Sequence, residues 1–162
     1  MRKYRFLQFV VMVVMLVSVT LSGLVVSAAS ADGGNDSFKA SISGTLSFTG
    51  ADTFELVGLV KANHIGNNQN YQATGVFTSP NTDVLVETLT AANGDKLVIQ
   101  CVQELEEISP GIFRGTDSWT VIGGTGRFSN ATGSGTGETI ANVNAGTFTK
   151  ELDGFINLPN GN

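Results

Sequence analysis

The chain reads as all-β: one eight-stranded antiparallel up-and-down β-barrel behind an N-terminal signal peptide. Three observations predict it. Residues 38–48 alternate without a break: Phe38, Ala40, Ile42, Gly44, Leu46 and Phe48 on one face, and Lys39, Ser41, Ser43, Thr45 and Ser47 on the other. That period of two marks a strand with one buried and one wetted face. Glycine, proline and asparagine then punctuate the rest into β-rich runs of similar length, with no window of helical periodicity beyond a short turn near residues 127–131. Finally, Gly133, Gly135 and Gly137 strip side chains from one face of the seventh run, which permits sharp curvature or close backbone packing. An open sheet of this size leaves two edges, and closure removes them. A β-sandwich of the same strand count is the alternative.

The elements follow in order. After the first strand, the turn at residues 49–52 leads to a second at 53–63, with Phe54, Leu56, Val60 and Ala62 in phase. Residues 63–68 read as a polar loop, 71–78 as a third strand ending at Ser79 and Pro80, and 84–91 as a fourth. Asn93-Gly94 is the strongest short hairpin signal in the chain. The fifth strand covers 96–105, with Glu104, Glu106 and Glu107 crowding its end, and the sixth covers 112–122. The seventh and eighth cover 133–143 and 147–156. The domain organisation is a signal peptide at 1–31, a flexible lead-in at 32–37, a barrel at 38–157 and a tail at 158–162.

The leader is read from Arg2, Lys3 and Arg5, an apolar stretch at residues 6–26, and the small-x-small site Ala29-Ser30-Ala31. Cleavage near Ala31 predicts a secreted, extracellular or periplasmic protein. The stretch is also long enough to serve as an uncleaved anchor. Losing Arg2, Lys3 and Arg5 takes the formal net charge from −5 to about −8. An acidic chain disfavours nucleic acid and anionic membrane as partners, so neither is expected once the leader is gone. Oligomeric state stays open. Cys101 is the only cysteine, so no intramolecular disulfide forms. It lies in an apolar strand and reads as a buried small hydrophobe, with a nucleophile as the sharper alternative. A lone His64 and a lone Cys101 make a poor metal set, and no metal site or cofactor is expected.

The most informative stretch is Trp119-Thr-Val-Ile-Gly-Gly-Thr-Gly-Arg-Phe128, followed by Ser-Asn-Ala-Thr-Gly-Ser-Gly135. Gly123, Gly124 and Gly126 form a structural turn that admits positive φ and close backbone approach. A phosphate-binding loop would need Gly-Lys followed by Ser or Thr and then a helix, whereas Arg127-Phe128 and more glycine follow. The stretch resembles the strand–turn–strand signature of the allene oxide cyclase and dirigent barrel superfamily, including its uncharacterised bacterial secreted members. Weaker echoes cover residues 93–100 and 146–154. The resemblance implies a calycin-like barrel with a central pocket for an apolar molecule and no bound cofactor. It transfers no catalytic residue, because the family's catalytic residues lie on inward-facing strand positions outside this motif and are not matched here residue by residue.

Candidate ligand-binding residues are Tyr71, Glu87, Asp117 and Trp119. Asp117 and Trp119 share a strand face before the glycine turn, where an acid beside an indole suits a barrel mouth. A core Trp is the blander reading. Glu87 shares a face with Leu85 and Leu89 and is either a buried acid of raised pKa or an outer-face residue. Arg114 reads as one half of a surface ion pair and His64 as a solvated loop residue.

Catalytic residues remain unknown from sequence. The expected function is an exported barrel that binds a small apolar or aromatic molecule, uncharged or anionic at one end. The alternatives are a cofactor-independent cyclase or isomerase, dirigent-like stereochemical control, and a filled-core structural or interaction module.

Overall fold

The computed structural model describes residues 35–159. The expected signal peptide, residues 32–34 of the lead-in and the last three residues of the tail lie outside them. Eight strands close into one antiparallel barrel in sequence order, β1 (Asp36–Phe48), β2 (Thr53–Ala62), β3 (Gly66–Ser79), β4 (Thr82–Thr90), β5 (Lys96–Ser109), β6 (Ile112–Gly124), β7 (Thr132–Asn142) and β8 (Thr147–Asn157). Closure is made by β1 against β8, from Asp36 opposite Ile156 to Thr45 opposite Thr147. A β-sandwich is thereby excluded. Among the described residues, no helix is long and apolar enough to cross a membrane.

The alternation in β1 holds where the core is. Phe38, Ala40 and Ile42 are buried, while Lys39, Ser41, Ser43 and Thr45 are exposed. Phe48, read from sequence as inward and buried, is 55% exposed. It keeps the inward phase, but the strand has run past the packed core to an open rim, where the ring stacks on Phe77. β3 begins earlier than the sequence predicts. Ala62 pairs with Gly66 and Val60 with Gln69, so part of the expected polar loop is strand carrying a bulge. His64 takes up the turn at positive φ, and Asn68, also at positive φ, lies in the bulged stretch of β3. The polar residues hid that strand because they point outward.

The two ends of the barrel differ. At one end the loops after β2, β4 and β6 send Ile65, Ala91 and Phe128 to buried positions. Phe128 ends a short 3-10 helix (Gly126–Phe128). The Arg127 guanidinium donates to the His64 carbonyl, and the Arg127 backbone N–H donates to Asp95 Oδ2 at 3.2 Å. These bonds tie the closing loops together. Inside this end, Trp119 meets Phe38 edge-on, with centroids 5.4 Å apart. The indole lies over the paired Gly135 and Gly154. At the other end the connections after β1, β3, β5 and β7 leave the barrel open.

The glycine turn is used unevenly. Gly126 has φ +56°, which favours glycine. A Cβ on Gly124 would lie 2.6 Å from the Lys96 carbonyl oxygen and from Phe128 Cβ. Gly123, expected to share this role, has neither a positive φ nor any atom within 4 Å of an added Cβ. The bulge explains it. Val121 pairs with Ile99 and Gly123 with Val98, so Ile122 is the inserted residue and Gly123 sits in ordinary strand geometry.

Candidate functional site: a buried acidic layer beneath an open cavity

The inward phase of each strand carries mostly apolar residues, but six polar ones break it: Asp83, Glu87, Gln103, Asp117, Thr139 and Lys150, all buried. Each lies in register with apolar neighbours. Lys150 sits between Phe148 and Leu152 on β8, and Asp83, Leu85, Glu87 and Leu89 form one face of β4. Barrel closure brings them together.

Lys150 is the centre. Its ammonium is paired with Glu87 Oε1 and lies 3.6 Å from Asp117 Oδ2 and 3.7 Å from Cys101 Sγ. Burial alone would lower its pKa, but Glu87 and Asp117 outweigh that and raise it, so the charge is retained. Asp117 Oδ1 accepts from Gln103 Nε2 at 2.5 Å, and its Oδ2 accepts from Thr139 Oγ1 at 2.8 Å. Gln103 Nε2 also donates to Thr139 Oγ1 at 2.8 Å. Burial still raises the Asp117 pKa against Lys150, Thr139 and Gln103.

Three carboxyl groups thus face one ammonium, and Asp83 is the one left over. It is 2% exposed, and its Oδ1 has no hydrogen-bond partner among the described residues. Burial raises its pKa to about 7, with the Lys150 charge opposing the rise and Asp117 and Glu87 adding to it. The group can hold or release a proton near neutrality. The Tyr71 hydroxyl and Glu87 Oε2 are likewise buried without partners. Burial, then the Glu87 carboxylate, pushes the Tyr71 pKa well up.

Above this layer, at the open end, lies a cavity of about 460 Å³. Its walls are Leu46, Phe54, Phe77, Phe113, Ala141 and Phe148, among others, and Asp83, Gln103 and Thr139 also line it. All three polar residues belong to the buried set, so they form its floor.

All four sequence candidates face into the barrel, but none lines this cavity. Glu87 and Asp117 flank Lys150. Tyr71 lies near Glu87, and Trp119 is core, its Nε1 donating to the Thr136 carbonyl at 3.2 Å. Sequence reasoning missed Lys150, Asp83, Gln103 and Thr139. Their phase was the available signal, since each occupies the same strand face as buried apolar residues. Burial pushes the Cys101 thiol pKa up despite Lys150, which keeps it protonated and opposes a nucleophilic role. Arg114 forms an exposed pair with Glu138 at 3.5 Å.

The raised Asp83 pKa makes stability depend on pH. The folded state binds this proton up to about pH 7, whereas an unfolded aspartate releases it near pH 4. This contribution is therefore full below about pH 4 and is lost as pH rises towards 7. Asp83→Asn should raise the melting temperature at about pH 8, with the gain shrinking at about pH 4.5. A gain of equal size at both pH values would mean that Asp83 does not hold this proton.

Comparison with known protein families, characterised proteins and solved structures finds no match for the chain.

Proposed function

We propose that this is an exported barrel that binds a small apolar or aromatic molecule in the cavity at its open end. The observation that carries the reading is the cavity itself. At about 460 Å³, with apolar walls and a few convergent polar groups at its floor, it has the size and make-up of a small-molecule site. Binding would come from removing apolar surface from water, with the floor fixing orientation. The resemblance to allene oxide cyclase and dirigent barrels, carried by residues 117–135, supports a pocket that works without a cofactor. The basic and apolar leader ending at Ala31 supports export. A filled-core module is disfavoured by the open cavity.

A second reading has one observation in its favour. Asp83, poised near neutrality at the cavity floor, is the kind of group that a cofactor-independent cyclase or isomerase, or a dirigent-like protein, would use to move a proton. Among the described residues, the only other acid lining the cavity is Asp52, towards the rim, so binding is the stronger reading.

Binding is tested with an environment-sensitive apolar dye. The dye should gain fluorescence with the parent protein and be displaced by 2-phenylethanol. Ala141→Trp, which fills the cavity from its wall, should abolish the signal while leaving the β-sheet circular dichroism intact. Dye binding unchanged in Ala141→Trp would place it elsewhere and remove the basis of the proposal. Denaturing extraction of protein from its native secretion, followed by mass spectrometry, would then identify the guest.

A further inference from the structure

We infer that the cavity selects a molecule with an aromatic or apolar body and a protonated amine head, the ammonium docking on the Asp83 carboxylate. This rests on the binding reading above and names the ligand class for the same site. Composition alone points to an uncharged or anionic head, but the residues around the cavity point the other way. Among the described residues neither lysine nor arginine lines it, while two aspartates do, Asp83 at the floor and Asp52 towards the rim. The Asp83 carboxyl is almost wholly buried and its Oδ1 has no hydrogen-bond partner among the described residues, so its ionised form is costly unless a positive charge comes close. The neighbouring cation cannot serve, because Lys150 is engaged by Glu87 and Asp117. The interior therefore holds two carboxyl groups more than ammonium groups, and a guest ammonium would offset one of them.

The walls favour the same head group. Phe48, Phe54, Phe77, Phe113 and Phe148 all line the cavity. Aromatic faces attract a cation through the ring quadrupole, and more strongly out of water. A carboxylate guest would meet those faces and Asp83 together, both repulsive to it. A neutral alcohol could donate to Asp83 but would gain nothing from the rings as a cation does.

Three probes with one body separate the possibilities: 2-phenylethylamine, 2-phenylethanol and 3-phenylpropionate, titrated calorimetrically at about pH 8, where Asp83 is ionised. The amine should bind about tenfold or more tightly than the carboxylate, with the alcohol between them. Asp83→Asn should remove the amine's advantage over the alcohol. Asp52→Asn, nearer solvent, should change the ratio far less. Lowering the pH through 7 should weaken the amine and spare the alcohol, as Asp83 takes up a proton under the influence of Lys150, Asp117 and Glu87. A carboxylate that binds as well as the amine, or a ratio unchanged in Asp83→Asn, overturns the inference and leaves the binding reading standing. Failure of all three probes against folded protein overturns both.

Discussion

Lys150→Met should destabilise the barrel by about 3–5 kcal/mol, the range for removing one partner of a buried ion pair. The substitution keeps most of the volume and removes the ammonium that faces Glu87 and Asp117, all three groups being fully buried. The three buried carboxyl groups, Asp83, Glu87 and Asp117, would then be left without that cation and would have to take up protons or admit water. Denaturant unfolding gives the magnitude, and an unchanged m-value would show that the loss belongs to the folded state. Adding Glu87→Gln to Lys150→Met should recover part of the loss, because it removes one of the charges that the first substitution stranded, Asp117 being the other. A single variant within about 1 kcal/mol of the parent would mean that the pair is solvated, as exposed pairs are. Lys39 and Asp153 provide that comparison across β1 and β8, at side-chain exposures of 69% and 64%. Lys39→Met should cost almost nothing.

Gly135→Val should be at least as damaging. A Cβ there would lie 2.0 Å from the Asp153 carbonyl oxygen and 2.7 Å from Trp119 Cε2. The first contact is backbone of the neighbouring strand, so rotamer changes cannot relieve it. Relief would require opening the β7–β8 ladder or lifting Trp119 off the glycine pair. We expect a loss of at least about 3 kcal/mol, above the usual cost of overpacking, or no folded protein. Gly123→Ala is the control, since an added Cβ there meets nothing within 4 Å. Its stability should match the parent's. Comparable damage at both positions would mean that the glycines act through chain flexibility and not through close approach.

Architecture was legible because local patterns carry it. The alternation of β1, the Asn93-Gly94 turn, with Gly94 at φ +89°, and the glycine strip of β7 each state a local requirement that the fold satisfies. The site was less legible. Glu87 and Asp117 were singled out for their strand phase, yet the residue that joins them, Lys150, sits 63 positions beyond Glu87. Only closure of the barrel brings β8 round to that layer. Asp83 stands near the start of β4, where an acid reads as the end of a turn. Gln103 and Thr139 read as ordinary strand polar residues until their partners are known. Phe48 shows the converse limit. Its phase was right, but phase does not say where the packed core stops and the open rim begins.

The claim on which the rest depends is that the open end of the barrel is a binding cavity with Asp83 at its floor. Amide chemical-shift mapping of the labelled protein, titrated with 2-phenylethylamine, tests it most directly. The account predicts saturable shifts clustered at Phe77, Asp83, Gln103, Phe113 and Thr139, with Trp119 and Phe128 at the closed end unmoved. Saturable shifts centred on the closed end, or spread over the outer faces of the strands, would contradict it.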